Sequence, residues 1–205
     1  MTCLPLLLRV RGEPGMTTHA SPGLLRAVGF LDGISLWSGR LVGWLIIPMV
    51  LSLVWEVVAR YWFNAPTVWA YDMTYMLYGT FFMLGSAYTL LRGGHIRTDS
   101  LYAKWTPQTQ GIVDAVCYIL FFFPPLLALL YVTWDYFWIS FLRGERVISS
   151  PWMPVVYPLK FVMPVTCVLL MLQGLAELLR SIHAARTGEW IARPTLTPGV
   201  EKGDV

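Results

Sequence analysis

The sequence predicts an all-α membrane protein with four transmembrane helices and short interfacial helices. Only 13% of the 205 residues are charged and 56% are hydrophobic, whereas soluble domains carry about 25% charged residues. The apolar residues are collected in four runs, each close to the about 20 residues that a helix needs to cross the hydrocarbon core. One domain is predicted over residues 21–183, with spans at about 41–60, 72–91, 112–135 and 159–179.

The segment before the first span allows two interpretations. Leu24–Trp37 has the apolar spacing of a helix, interrupted by Asp32. It fits either an amphipathic helix on the membrane surface or an extension of the first span. Residues 1–20 show no readable pattern, and Met16 offers a second plausible start, so we expect them to be disordered or to be an extension from an upstream start codon. Within the first span, Pro48 predicts a bend.

The second span is predicted to be the strongest of the four, because Met73–Leu91 contains no charged residue. Gly79 and Gly85 lie within it. Small residues allow helices to approach closely in lipid, but glycine is also simply common in membrane helices. Only the first of these two interpretations predicts close packing at the glycines.

The third and fourth spans are joined by a proline-rich connection, residues 141–160, which is not expected to form one continuous helix. Pro124 and Pro125 lie in the middle of the third span and remove two backbone donors, which predicts a kink. At the start of the fourth span, Lys160 is expected to extend outward to the interface. The polar segment 184–205 is expected to be a disordered cytoplasmic tail.

The distribution of lysine and arginine predicts that both termini are cytoplasmic. Four spans place the termini and the loop that contains His95 and Asp99 on one side, with eleven of the 15 basic residues. The other side holds the remaining four: Arg60, Arg143, Arg146 and Lys160. Since cytoplasmic loops carry the basic excess, the two connections on the basic-poor side are expected to face outward.

Few residues have the context of a catalytic or cofactor-binding group. His19, His95 and His183 all lie in polar segments, so axial haem ligation inside a helix bundle is not expected. Neither a phosphate-binding loop nor a nucleophile elbow occurs. The acidic residues near the spans lie at span ends, where capping or pairing is favoured over a proton relay. They are Glu56, Asp72, Asp114, Asp135 and Glu177. The sequence therefore predicts no enzyme, no metal site and no cofactor.

The outward connections carry two structural hypotheses. In the first, Arg60 pairs with Asp72 or with Glu56 and holds the first two spans together; the alternative is that Arg60 extends to phosphate headgroups. In the second, residues 141–160 contact another protein outside the membrane; the alternative is a solvent-exposed connector.

A series of motifs runs through the first half of the chain. It consists of Arg60-Tyr61-Trp62-Phe63-Asn64, then Trp69 and Asp72, then the glycine-containing second span with Gly79 and Gly85, and then Gly94-His95-Ile96-Arg97-Thr98-Asp99. In order and spacing the series resembles the small membrane subunit, the DctQ-like component, of tripartite ATP-independent periplasmic (TRAP) transporters. The resemblance covers about residues 40–180, although the family often has Glu where this chain has Asp72. It makes the series a set of structural or interface candidates: Arg60, Tyr61, Asn64, Trp69, Asp72, Gly79, Gly85, His95 and Asp99.

The resemblance implies a three-part secondary transporter in the bacterial inner membrane. A large multi-span permease subunit would carry the solute together with a coupling ion, and a periplasmic solute-binding receptor would capture the solute, commonly an organic acid. The small subunit would brace the large one within membrane lipid, with no nucleic acid as a partner. Two alternatives remain open at this point: a membrane anchor of a redox complex, and a stand-alone small tetraspan interaction protein.

Overall fold

The regular structure is helical throughout the described residues, which are 21–92, 105–148 and 150–191 of the computed structural model. In chain order the helices are α1 (Pro22–Gly43), α2 (Ile46–Tyr61), α3 (Ala70–Leu91), α4 (Pro107–Cys117), a π-helical turn (Tyr118–Phe122), α5 (Phe123–Arg143) and α6 (Tyr157–Thr187). The all-α prediction is confirmed for this part of the chain. The predictions for residues 1–20 and for the end of the tail, from residue 192, lie outside the described residues.

Three helical stretches are long and apolar enough to cross a membrane. They are Pro22–Tyr61 with 40 residues, Pro107–Arg143 with 37 and Tyr157–Thr187 with 31, and they contain the predicted first, third and fourth spans. The predicted second span corresponds to α3, which has 22 residues but does not reach the same hydropathy. Tyrosine, threonine and serine lower the hydropathy of α3 without adding charge, so the expectation that it is the strongest span was wrong. Four spans therefore stay a prediction.

The first apolar stretch is one helix with a single interruption at Trp44–Leu45. Pro48 lies in the first turn of α2, where a missing N–H is tolerated. The N–H of Ile47 donates instead to the carbonyl of Trp44, at 3.2 Å, so the interruption comes just before the proline that was expected to bend the helix. Because α1 packs against α3 and α6, it extends the first span along the other helices.

The paired prolines of the third span follow a π-helical turn. The N–H of Phe123 donates to the carbonyl of Tyr118, five residues earlier. Pro124 and Pro125 then begin α5, where their missing donors are less costly than in a helix interior. Widening one turn is a known way to fit an irregularity into a long helix. The disturbance predicted at these prolines therefore takes the form of a π turn.

Two glycines end the long helices of the second half. Gly144 follows α5 with φ of 58°, and Gly188 follows α6 with φ of 76°. Such left-handed residues close a helix by pairing its last carbonyl groups, and glycine adopts this conformation without a steric penalty. Both helices therefore end where the sequence provides glycine, and α6 extends eight residues beyond the predicted span.

Helix α6 is the central element of the fold. It packs against α1, α3, α4 and α5, while α2 packs mainly against α3. These contacts arrange four of the helices in a row in the order α2, α3, α6, α5. A row leaves more helix surface uncovered than a closed ring would, and most of the uncovered side chains are large and apolar.

Close helix approaches occur at three glycines that the sequence analysis did not single out. A Cβ atom at Gly39 would lie 2.5 Å from the ring of Tyr88, and one at Gly111 would lie 2.5 Å from the backbone nitrogen of Ala185. A Cβ atom at Gly174 would collide with the ring of Phe122. Glycine is needed at these positions because residues of a neighbouring helix occupy the space that a side chain would fill.

Candidate functional sites

The ion pair expected at the outer turn forms between Arg60 and Glu56. The Nε and Nη2 atoms of Arg60 lie 3.0 Å and 2.5 Å from the Oε1 atom of Glu56. These residues are four apart on α2, a spacing that makes side chains neighbours on a helix surface. The arginine side chain is 57% exposed. The pair lies within one helix, so it does not hold two helices together, and that part of the hypothesis was wrong.

The connection between α2 and the start of α3 is made by Glu56 and Thr67 instead. The Oε2 atom of Glu56 accepts hydrogen bonds from the hydroxyl group of Thr67 and from its N–H, the latter at 3.0 Å. One turn deeper, the hydroxyl groups of Ser52 and Thr74 lie 3.1 Å apart across the same pair of helices. Sequence reasoning missed both contacts because it searched for a charged partner, whereas the partners are hydroxyl groups.

Asp72 contacts the second outward connection and not Arg60. It lies in the first turn of α3, where a carboxylate is favoured by the helix dipole. Its Oδ2 atom accepts a hydrogen bond from the hydroxyl group of Ser150. Asp72 thereby ties the start of α3 to the segment between α5 and α6.

The other residues of the outer turn have conformational or surface positions. Asn64 has φ of 49°, a left-handed conformation that asparagine tolerates. The N–H of Ala65 donates to the carbonyl of Ala59 at 3.0 Å and closes the turn. Tyr61 is exposed at the end of α2, and Trp69 immediately precedes α3. The remaining candidates of the motif series, His95 and Asp99, lie outside the described residues.

Of the two glycines of α3, one packs against another helix and the other does not. A Cβ atom at Gly79 would lie 3.4 Å from the Cδ1 atom of Leu159, which is ordinary packing against α6. Nothing lies within 4 Å of a Cβ atom at Gly85. Gly79 therefore faces another helix of this chain, and Gly85 faces open space.

The connection between α5 and α6 is a folded hairpin. Val147 donates to the carbonyl of Pro154 at 3.0 Å, and Val156 donates to the carbonyl of Glu145 at 3.1 Å. The carboxylate of Glu145 lies 2.5 Å from the Nζ atom of Lys160. We call residues 144–156 the outer hairpin. Its described tip includes Ile148, which is 90% exposed.

Lys160 does not extend outward as expected. It is buried, and its ammonium group lies 3.8 Å from the centre of the Tyr136 ring in addition to its contact with Glu145. The hydrogen bond from Lys160 holds the pKa of the Glu145 carboxyl below its usual value. The expectation failed because a carboxylate and an aromatic face were available closer than the headgroups.

The middle of α1 and the C-terminal half of α6 share a buried polar cluster, which we define as Asp32, Gln173, Glu177 and Arg180. The guanidinium group of Arg180 contacts Asp32 and lies 2.7 Å from the Oε1 atom of Glu177. The side-chain amide of Gln173 donates to Asp32 at 3.3 Å. All four side chains are buried, and Arg180 is only 1% exposed. A buried charge is stable only when paired and hydrogen-bonded, so the cluster fixes α1 against α6.

Sequence reasoning missed this cluster although a signal was present. Asp32 was considered only as an interruption of an apolar pattern, Glu177 only as a group at a span end, and Arg180 only as a basic residue of the inner side. Gln173, Glu177 and Arg180 are spaced i, i+4 and i+7 on one helix, which places them on one face. A polar stripe of this kind on an apolar helix predicts a buried partner, but it does not identify Asp32, which lies in α1 and far from α6 in the sequence.

The described residues contain cavities with apolar walls. One of about 300 Å³ lies between α3, α5 and α6, with Met83, Leu129 and Leu170 among its lining residues. Another of about 230 Å³ lies between α5 and α6. No group of three or more metal-ligating side chains occurs in this part of the chain. The polar side chains described above contact one another, so the arrangement joins helices.

These features define a class: a helical membrane protein whose buried polar residues connect its helices at both ends. Residues 49–184 match the family described as "Tripartite ATP-independent periplasmic transporters, DctQ component". Because the match covers more than half of the chain, the chain belongs to the DctQ family, and the resemblance seen in the sequence is confirmed. This is a family of transporter components and not of enzymes. A comparison with curated proteins finds no match.

Proposed function

We propose that this chain is the small permease subunit that braces the large subunit of a secondary transporter in the bacterial inner membrane. The large subunit would carry an organic acid together with a coupling ion, and a periplasmic receptor would deliver the acid. The observation that carries the proposal is the way polar contacts join the helices at both ends of a DctQ-family chain. A brace needs such fixed joints because the subunit that it supports changes shape.

The outer joints connect all the long helices of the outer half. Glu56 with Thr67 links α2 to the start of α3, and Asp72 with Ser150 links α3 to the outer hairpin. Glu145 with Lys160 links that hairpin to α6. The inner joint is the buried polar cluster between α1 and α6. A helix row with joints at both ends resists sliding of one helix past another, which is the mechanical property of a scaffold.

The cavities support a scaffold role more than a solute-carrying role. An organic acid needs donors placed around its carboxylate, but the cavities of about 300 and 230 Å³ have apolar walls in the described residues. The two Nη atoms of Arg180 contact Asp32 and Glu177, and the whole side chain is buried away from both cavities. The solute is therefore expected to bind to the other components.

Purification in mild detergent followed by mass spectrometry tests the proposal. The tagged chain is expected to retain a large polytopic partner, and removal of either component should abolish solute uptake in cells. A chain that purifies alone from membranes would contradict the proposal and favour a stand-alone membrane protein. A bound chromophore in the purified protein would favour a redox anchor instead.

The proposed topology places the outer hairpin in the periplasm and both termini in the cytoplasm. Ile148→Cys, in a background without other cysteines, is expected to react with a membrane-impermeant maleimide added to intact spheroplasts. Thr187→Cys, at the end of α6, is expected to react only after the membrane is opened. Labelling in the reverse order would contradict this orientation.

The outer hairpin is proposed as a contact for the receptor or for the outer surface of the large subunit. The exposed tip supports this, since Ile148 would otherwise stand in water. Ile148→Ser with Arg146→Ala is expected to reduce receptor-dependent uptake while leaving assembly with the large subunit intact. Glu145 is unsuitable for this test because it is engaged with Lys160. Unchanged uptake at limiting receptor concentration would remove the hypothesis.

A further inference from the structure

The exposed residues of α3 lie on a single stripe. The exposed positions of this helix are Tyr71, Tyr75, Tyr78, Phe82 and Thr89. Their spacing of 4, 3, 4 and 7 residues keeps them on one side of a helix. Gly85 falls between the last two and completes the repeat. Every other residue of α3 is at least partly covered by the helices around it, so the stripe is the side of α3 that the described residues leave open.

The stripe carries hydroxyl groups at a depth where lipid offers no partner. Tyr78 lies eight residues after Ala70, which corresponds to about 12 Å along the helix. The hydrocarbon core is about 30 Å thick, so a helix that starts at its outer edge would place Tyr78 well inside. The side chains of Tyr75 and Tyr78 are 62% and 56% exposed. Their hydroxyl groups make no hydrogen bond to other residues in the described part of the chain.

The position of these tyrosines distinguishes them from an interfacial belt. Tyrosine is enriched at the two membrane surfaces, where the ring is in lipid and the hydroxyl group is in water. Tyr71, at the start of α3, has such a position. A hydroxyl group one or two turns deeper loses its contact with water, and burying it without a partner is costly. An acceptor on a neighbouring protein helix would therefore stabilise the hydroxyl groups of Tyr75 and Tyr78, which find none among the described residues.

Gly85 provides an opening on the same stripe. A side chain there would meet no atom within 4 Å, whereas the space at Gly39, Gly111 and Gly174 is filled by this chain itself. In lipid, small residues let a second helix come close. The ring of Phe82, which lies above Gly85, is stacked on that of Tyr78 with centroids 6.3 Å apart.

We propose that the α3 stripe, defined as Tyr71, Tyr75, Tyr78, Phe82, Gly85 and Thr89, seats a transmembrane helix of the large permease subunit. That helix presents hydrogen-bond acceptors to Tyr75 and Tyr78 and places a bulky side chain over Gly85. This inference rests on the function proposed above. It also gives a reason for the low hydropathy of α3, because a helix covered by protein on every side does not have to be as apolar as one that faces lipid.

A second copy of this chain fits the stripe less well. Copies inserted in the same orientation would pair through an isologous contact, in which the same patch meets itself. Gly85 would then lie near Gly85 of the other copy, where the two backbones could approach, but neither copy would supply the bulky side chain that the space at Gly85 admits. A helix of different sequence can fill it, and membership of a multi-component transporter family supplies such a partner.

Photo-crosslinking in the assembled complex tests which molecule covers the stripe. A photoreactive phenylalanine analogue replaces Tyr78 or Phe82 in the full chain, co-expressed with the other transporter components. Phe121, in the π-helical turn, is the matched control, since it is an aromatic residue that is 76% exposed and has no hydroxyl group. We expect an adduct with the mass of the large subunit from both stripe positions and at least tenfold less from position 121. Adducts with a second copy, adducts with lipid only, or equal yields at all three positions would overturn the proposal.

Substitutions on the stripe give an independent measurement. Gly85→Phe is expected to reduce the amount of co-purified large subunit at least tenfold, because the ring occupies the space of the incoming side chain. Gly33→Phe is the control, as Gly33 is an exposed α1 glycine with nothing within 4 Å. Tyr75→Phe and Tyr78→Phe should each weaken assembly about threefold, in line with the modest strength of hydrogen bonds between membrane helices. Equal retention by the Gly85 and Gly33 variants would overturn the proposal.

The outcomes separate this proposal from the function on which it rests. If the unmodified chain retains no large subunit, the scaffold function itself fails. If the chain retains the large subunit but crosslinks to it only from position 121, the scaffold function stands and the α3 stripe is not the contact. Circular dichroism and gel filtration of the Gly85→Phe chain exclude misfolding as the cause of a lost complex.

Discussion

Replacing Arg180 with methionine removes the guanidinium group from the buried polar cluster without leaving a large void. Arg180 is the only member that contacts both carboxylates, reaching Asp32 with Nη2 and Glu177 with Nη1. Methionine covers a similar hydrophobic length and has no charge. The variant therefore tests whether the charge of Arg180, and not its bulk, keeps α1 against α6.

Two energetic costs set the expected loss of stability in the Arg180→Met variant. Breaking a buried ion pair by removing one partner typically destabilises a protein by about 3–5 kcal/mol. A carboxylate can instead become protonated, which at pH 7 costs about 4 kcal/mol, since each pH unit above an ordinary value near 4 corresponds to about 1.4 kcal/mol. We therefore expect Arg180→Met to lower the free energy of unfolding by about 3–4 kcal/mol at pH 7.

The same reasoning fixes the direction of the pH dependence. In the variant, a carboxyl group that is protonated in the folded state ionises on unfolding at neutral pH, so the folded state binds more protons and its stability falls as the pH rises. The deficit of the variant should shrink by about 2.7 kcal/mol between pH 7 and pH 5 if one carboxyl group is protonated. Adding Asp32→Asn should recover part of the loss at pH 7, because one buried charge is then absent.

Equilibrium unfolding in mixed micelles of dodecyl maltoside and sodium dodecyl sulfate measures these differences, with the fluorescence of the 10 tryptophans as the signal. The matched control is Arg60→Met, which breaks an exposed pair on one helix and should change the unfolding midpoint little. An Arg180→Met midpoint that coincides with that of Arg60→Met would refute the assignment of the cluster as a joint. So would a deficit that does not change between pH 7 and pH 5.

Three further predictions concern other contacts. Gly111→Leu should destabilise the fold by about 1–3 kcal/mol or more, because the side chain would meet the α6 backbone. Gly85→Leu should leave the stability of the isolated chain unchanged. Equal unfolding midpoints for the two variants would contradict this prediction. Glu145→Gln should lower the melting temperature at neutral pH only. The Lys160 hydrogen bond depresses the Glu145 pKa, so its stabilisation exists above the ordinary value and is lost as the pH falls through the depressed one; a gap that persists in acid argues against it. Thr67→Val should speed proteolysis of the α2–α3 turn, whereas an unchanged cleavage rate would show that its hydrogen bonds are dispensable.

Most of the helices could be predicted from the sequence because the signals are local. Apolar runs of sufficient length predicted the three stretches that can cross a membrane. Gly144 and Gly188, which follow the last residues of α5 and α6, were not used in that prediction. The boundaries were underestimated, since apolar runs indicate the part of a helix within lipid and not its polar extensions. Charge alone misjudged α3, because uncharged tyrosines and threonines lower hydropathy as well.

The partners of the polar residues were mostly mispredicted. Arg60 was expected to join two spans, but its nearest acceptor is one turn away on the same helix. Lys160 was expected to extend to the interface and is buried, because Glu145 approaches it from the outer hairpin and Tyr136 from α5, and the folding of that hairpin is not visible in composition. The close approach at Gly111 depends on α4 crossing α6, and no sequence pattern near Gly111 indicates this crossing.

The sequence by itself determined the class and the family of this protein. Long apolar runs must be helices in a membrane, since every backbone group has to be paired within its own segment, and the motif order is sufficient to recognise DctQ. Only the tertiary structure decided which residues act as joints and which side remains open. Asp32 meets Arg180 148 positions further along the chain, and Asp72 meets Ser150 across 78 positions. Such contacts depend on how far the packed helices are displaced along their axes relative to one another. This displacement is set by packing along α6 and is not encoded in any single segment.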